Sequence, residues 1–401
     1  MENNRSRLVA ALGSLLVGSC SVVVGLVAPA SAQAMPPRAP RSVYLPPAPL
    51  PERPAGTLIW ADKVQLPLHP PAAVWRMLYH SRDVHGRDVA VSGFAIVPLR
   101  RPGRGGRAVY AWAHGSAGQA DRCAPSRDLR ANLPPYGGQL VGADVALVAT
   151  DYDGLGTPGT PTPGVGVAEG RAVLDSVRAL AQLPNSGKTG PVVIAGESQG
   201  GGAALWAAQL AASYAPRLDV RGVAAFAPAA QLSTIVRSLH RPPYSASLGE
   251  ALWYADGLRA AYGGRAQLAR VLTRQARQDL GRVENECAAQ TLVRWRGRPE
   301  TAVFAVSPMS LPKPFVSLLH AISPGAIAPK SPILLIQGSS DEVIPTAVTA
   351  QLKARYCSLG ANVARRLYPG ANHEDVVDAA TDQALAWISD RFKGRRATSG
   401  C

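Results

Sequence analysis

The stretch Val192–Gly202, VVIAGESQGGG, sets a serine between glycines at the point where a β-forming run gives way to a helix-forming one. An attacking serine needs this kind of turn. The backbone bends so sharply that the hydroxyl stands clear of it, and Gly196 and Gly200, with Gly201 and Gly202 behind, leave the room. Because G-x-S-x-G also occurs in ordinary loops, its context decides. Pro191–Ala195 reads as a buried strand and Ala203–Tyr214 as an alanine-rich helix, so Ser198 lies in the strand–turn–helix setting of a nucleophile.

A serine is a poor nucleophile until an imidazole takes its proton, and a carboxylate must orient that imidazole. Ile333–Gln337 is an apolar strand that runs into Gly338–Pro345, which brings Asp341 to a loop between this strand and a helix starting near Pro345. Ala364–Tyr368 leads in the same way into Pro369–Asp375, with His373 on the loop and a helix expected from Asp375 to Phe392. Asp341 is the candidate acid and His373 the candidate base. Glu342 is the neighbouring rival, and Asp341 is preferred because it comes first off the strand. His69, His80, His85, His240 and His320 lack a strand-end setting. The chain order Ser198, Asp341, His373 is that of an α/β-hydrolase: a mostly parallel central sheet flanked by helices.

Acyl transfer also needs donors for the oxyanion of the tetrahedral intermediate. The amide of Gln199, directly after the nucleophile, supplies one. The second is expected on a loop after an earlier strand, and Ala108–Ala113 followed by His114–Gly118 fits, with Ser116 as donor and Gly115 as the alternative. His114 itself is expected to pack beneath this loop.

The chain resembles the secreted lipases of actinobacteria and fungi, relatives of yeast lipase A within the α/β-hydrolase fold. The resemblance runs through Pro54–Ile59, Arg76–Ser81, Val91–Pro98, Ala113–Ser116 and Asp151–Gly156 to the loops of Ser198, Asp341 and His373. Glu197 departs from the aromatic residue or histidine often found before the nucleophile. The resemblance implies hydrolysis of acylglycerols or similar carboxylic esters with no metal or other cofactor.

Arg5 and Arg7 precede an apolar run, Leu8–Ala28, and Ala30–Ala32 or Ala32–Ala34 offers a small-residue cleavage site; residues 1–34 therefore read as a signal peptide, with an uncleaved anchor as the rival. Loss of Cys20 with that leader leaves Cys123, Cys287, Cys357 and Cys401, an even number that in an exported chain points to disulfides. Three connectivities are open to four cysteines. The family resemblance implies Cys123 with Cys287, joining the oxyanion loop to the cap. Close metal-ligand spacing is absent among them.

Residues 35–56 form a proline-rich extended arm, with eight prolines in 35–54. The hydrolase core is expected over 57–230 and 329–395, interrupted by a helical cap or lid at 231–328. In that insertion Leu248, Leu252, Ala255, Leu258 and Tyr262 fall on one helical face, and Leu268, Val271 and Leu272 begin a second amphipathic helix. Part of these stripes should line an acyl pocket above Ser198. The formal net charge is +15, and the cap holds twelve Lys and Arg against six Asp and Glu. Such a field favours transient contact with lipid or anionic surfaces, although an arginine-rich solvated surface gives the same count. Scattered basic residues without a reading module exclude a nucleic-acid function. The expectation is a secreted serine carboxylester hydrolase acting on small-molecule or lipid esters. Its rivals are a peptidase or acyltransferase with the same triad, and a catalytically silent binding protein.

Overall fold

The computed structural model describes residues 35–401, and the expected leader, 1–34, lies outside the described residues. Nine strands build one sheet: β1 (Leu58–Val64), β2 (Ala72–Arg82), β3 (Asp88–Pro98), β4 (Arg107–Ala113), β5 (Ala146–Thr150), β6 (Thr189–Glu197), β7 (Asp219–Phe226), β8 (Ile333–Gly338) and β9 (Val363–Tyr368). Their order is β1-β2-β3-β5-β4-β6-β7-β8-β9. The pairs β1/β2, β2/β3 and β3/β5 are antiparallel. Every pair from β5 through β9 is parallel.

A parallel sheet buried on both faces needs apolar residues at successive positions, and β5 (ALVAT) is buried throughout. In β6, Val192 and Ile194 enter one apolar layer while Val193 and Ala195 enter the other, as the two-residue period of a strand requires. Helices α1 (Gly137–Gly142), α2 (Gly166–Leu180) and α3 (Gln199–Tyr214) belong to the first half of the chain. Between β7 and β8 come α4 (Leu232–Ser238), α5 (Leu248–Tyr262), α6 (Arg274–Val283), α7 (Ala288–Trp295), α8 (Glu300–Val303) and α9 (Lys313–Ile322). After β8 follow α10 (Thr346–Ser358), α11 (Val376–Ala379) and α12 (Thr381–Phe392). One layer packs α2, α3 and α10 on the sheet; the other packs α1, α11 and α12. The helices α4–α9 close around an apolar cluster of their own that includes the buried Trp253 and Trp295.

Two local expectations change. The helix expected from Asp375 to Phe392 is divided at Ala380 (φ −93°, ψ 0°), and the bend keeps Val376, Ala380 and Ala384 all buried on the sheet. The amphipathic helix expected from Leu268 is only a short turn, Leu268–Arg270. Thr273 stops it from continuing: its Oγ1 accepts the amide of Ala276 at 3.0 Å and caps a new helix, α6. Ahead of that cap, Ala305 donates to the carbonyl of Val271 at 2.8 Å, and Leu272 bridges to Phe304.

The arm has no regular structure yet is anchored. Val43 and Tyr44 are buried with Ile59, Leu78 and Ala90, and the Tyr44 hydroxyl lies 3.0 Å from Ser126 Oγ. The cysteines pair as Cys123–Cys287 and Cys357–Cys401.

Candidate active site

Three loops leave the carboxyl ends of parallel strands and meet. The first is the elbow between β6 and α3. Ser198 adopts φ +55°, ψ −119°, a conformation that costs a non-glycine residue on the order of 1–3 kcal/mol and that the surroundings must enforce. They do so by contact. A Cβ on Gly196 would stand 2.2 Å from the Gly200 carbonyl oxygen, and one on Gly200 only 1.9 Å from that of Ala113. The backbone packs so tightly there that no larger residue fits. The amide of Ser198 donates to the Phe226 carbonyl at 2.9 Å, tying the elbow to β7.

The loop after β9 brings His373 to the serine, with Nε2 3.0 Å from Ser198 Oγ. Its Nδ1 lies 3.0 Å from each carboxylate oxygen of Asp341, on the loop after β8. Asp341 Oδ1 also accepts the amides of Val343 at 2.9 Å and Ile344 at 2.7 Å, while Oδ2 accepts Gln337 Nε2 at 2.6 Å. These donors lock the carboxylate in the orientation that meets the ring. Glu342 points elsewhere: its Oε2 accepts the backbone amide of His373 at 3.2 Å. The structure thus brings Asp341 and not Glu342 to the imidazole.

Ser116 and Gln199 also come together. The Ser116 hydroxyl donates to Gln199 Oε1 at 3.0 Å, and Gln199 Nε2 donates to Glu169 Oε1 at 2.6 Å. Glu169 accepts in turn from the Gly164 amide at 2.9 Å. This chain ties the loop after β4 to the start of α3, whose first amides have no intrahelical acceptor and carry the positive end of the helix dipole. His114 packs under the loop, its ring 4.4 Å from that of Tyr152, whose hydroxyl donates to the His114 carbonyl at 2.9 Å. The disulfide Cys123–Cys287, a bridge from Gly118 to Cys287, and the Ala288 amide donating to the Ala117 carbonyl at 3.0 Å join this loop to the start of α7.

The electrostatics are dominated by carboxylates. Burial works against a charged His373, but the hydrogen bond and charge of Asp341, with Glu197 and Glu250 beyond it, outweigh burial and raise its pKa to about 9. Burial pushes Glu197 and Glu250 each up to about 7. Burial raises Glu169 likewise to about 7, against the pull of Gly164 and Gln199. Among the described residues no three His, Cys, Asp or Glu side chains gather as a metal site would require.

An apolar pocket opens beside this site. The cap lines it with Leu232, Ala251, Leu258 and Leu319, and the acid loop adds Val343 and Ile344. Tyr254 and Glu250 form its polar part. The helical stripe expected to face it divides: Ala255 and Leu258 line the pocket, whereas Leu248 and Leu252 are buried in the interior of the cap. The face that meets the pocket is rotated by about one residue along α5, to Glu250, Ala251, Tyr254 and Leu258, while Leu248 and Leu252 share the cap interior with Trp253 and Trp295. Gln337, Glu250 and Tyr254 escape a reading of the sequence. A single signal exists, for Gln337: a polar residue in the otherwise apolar ILLIQG strand.

A sequence model of the secretory lipase family matches residues 139–400. A secreted triacylglycerol lipase of Malassezia globosa is 27% identical over 300 residues, 70% of this chain and 65% of that protein, so the chain spans less than two thirds of that relative. A protein of Mycobacterium tuberculosis named a probable inactive lipase is 27% identical over 379 residues, 88% of this chain and 82% of its own. Among solved structures, Candida antarctica lipase A in its closed state superposes with a TM-score of 0.74 at 22% identity, covering 86% of this chain and 84% of its own. The rice cell wall degrading esterase LipA of Xanthomonas oryzae gives 0.72 at 17% identity over 85% of this chain and all of its own. These likenesses establish the α/β-hydrolase fold. Since the family match runs over most of the chain and takes in the loops of Ser198, Asp341 and His373, the chain belongs to the secretory lipase family.

Proposed function

We propose that this protein is a secreted serine carboxylester hydrolase of the lipase kind, acting on acylglycerols or similar esters. The observation that carries the reading is the unbroken contact from Ser198 Oγ to His373 Nε2 and from Nδ1 to Asp341, each 3.0 Å. Ser198 attacks the ester carbonyl as His373 takes its proton, and Asp341 holds the imidazole and stabilises its charged form. The amides of Gln199 and Ser116 receive the oxyanion. Protonated His373 then hands its proton to the departing alcohol. A water deprotonated by His373 attacks the acyl-enzyme and releases the acid.

The segment 231–328 acts as the cap and its apolar pocket takes the acyl chain, with 57–230 and 329–395 as the hydrolase core and 1–34 as the export leader. A second reading, a silent binding protein, is supported by the inactive name of the Mycobacterium relative. Fluorophosphonate labelling separates the two, since only an activated serine reacts. Hydrolysis of p-nitrophenyl esters of rising chain length, with and without emulsified triglyceride, then tests the substrate class. Rates that fall from acetate onward would mark an esterase without a lipid pocket.

A further inference from the structure

His373 is faced by a carboxylate on each ring nitrogen. Asp341 takes Nδ1. On the other side, Glu197 Oε1 lies 3.3 Å from Nε2, the nitrogen that must accept the proton of Ser198. Glu197 directly precedes the nucleophile, so the fixed backbone of the elbow sets its position. Its second oxygen reaches the loop after β4: a Cβ on Gly115 would come within 2.3 Å of Oε2. The carboxylate therefore stands between that loop and the imidazole. From the cap, Glu250 on α5 adds a further carboxylate whose charge acts on both His373 and Glu197. From the remaining side, Glu342 holds the His373 backbone amide, and Glu374, next in the chain, acts on Glu197.

We propose that the Glu197 carboxylate keeps a proton on His373 at neutral pH, and that this proton gates the enzyme, confining turnover to the alkaline side. With the proton on the ring, Nε2–H faces Ser198 Oγ at 3.0 Å, the Glu197 carboxylate 3.3 Å away holds its charge, and the nitrogen cannot take the Ser198 proton. When base removes that proton, a neutral imidazole and a carboxylate remain, and the Ser198 proton then passes to Nε2 as Oγ bonds to the carbonyl carbon. The charges point the same way: burial pushes Glu197 up, and the ring of carboxylates lifts His373. Glu197 is in these terms a positioning residue for a proton, and the inference rests on the serine hydrolase reading above.

The test is the pH dependence of fluorophosphonate labelling of Ser198 in the whole protein, its Glu197→Gln variant and its Glu250→Gln variant. The wild-type midpoint is expected well above the ordinary histidine value of about 6.5. Glu197→Gln should lower it by about one to three pH units, so that labelling at pH 6.5 becomes at least about tenfold faster. Glu250→Gln should shift it the same way by less. Should Glu197→Gln not fold, an NMR titration of the His373 ring in the wild type decides instead, and a midpoint near 6.5 overturns the proposal. Labelling with coincident midpoints in wild type and Glu197→Gln defeats the gate and leaves the hydrolase intact. No labelling of the wild type at any pH defeats the hydrolase reading, and the gate with it.

Discussion

The sheet and the cap meet at the same imidazole but hold it by different means. Ser198, Asp341 and His373 stand on loops that leave the parallel strands β6, β8 and β9, and backbone hydrogen bonds tie those loops: Ser198 to Phe226, and Ser340 to Ala371 at 3.0 Å. The cap reaches the site through side chains, Glu250 and Tyr254 on α5. It is fastened at its margins by Cys123–Cys287, by Gln119 Nε2 donating to the Trp253 carbonyl at 3.1 Å, and by Trp206 Nε1 donating to that of Ile322 at 2.7 Å. A ladder of backbone bonds fixes position to a fraction of an ångström, whereas an insert packed on its own apolar cluster can change its inner face and keep its fold. On the proposed reading the chemistry belongs to the sheet and the choice of substrate to the cap.

Substitutions can break that division, and the sheet side should give the largest effects. Ser198→Ala should lower kcat by about a millionfold with an unchanged circular dichroism spectrum. Asp341→Asn should cost about ten-thousandfold by leaving the imidazole in the wrong tautomer. Glu342→Gln should stay within about tenfold, because it loses only a contact to the His373 amide; a greater loss there than at Asp341 would reverse the two roles. On the cap side, Leu252→Ala should lower stability in denaturant melts by about 2–5 kcal/mol. Acetate and long-chain esters should then lose activity equally, because Leu252 is buried in the cap interior away from the pocket. Ala251→Phe should do the opposite, sparing acetate while depressing long-chain esters. Each CH₂ it excludes forfeits about 0.8 kcal/mol, roughly fourfold in kcat/KM. If Leu252→Ala proved chain-length selective and Ala251→Phe did not, the assignment of the α5 faces would be wrong.

The sheet was far more legible than the cap, for a physical reason. A catalytic loop in this fold follows a run of apolar β-formers, so GESQG, GSSDE and GANHE announce themselves through the strands before them. Strand-end placement picked out Ser198 and His373 and brought an acidic pair, Asp341 and Glu342, to the loop after β8. Which of two adjacent acids turns toward the ring was decided by the amides of Val343 and Ile344 and by Gln337, contacts that no spacing encodes. In the cap, the helical period located α5 but not its orientation, because apolar residues surround that helix on more than one side. Leu252 therefore read as pocket while it is core, and Glu250 drew no reading of its own. Glu197 was visible as an unusual neighbour of the nucleophile. Its approach to Nε2 depends on the elbow backbone and on the loop after β9, two segments far apart in sequence.

The most direct measurement is a stopped-flow reaction with a p-nitrophenyl ester at alkaline pH, quenched in acid and followed by mass analysis of the peptide that contains Ser198. A burst of p-nitrophenol, with one acyl group on Ser198 in the wild type and none in His373→Ala, is the expected result. Steady turnover with no covalent adduct, or an acyl group on any other residue, would contradict a Ser198–His373–Asp341 acyl-enzyme mechanism.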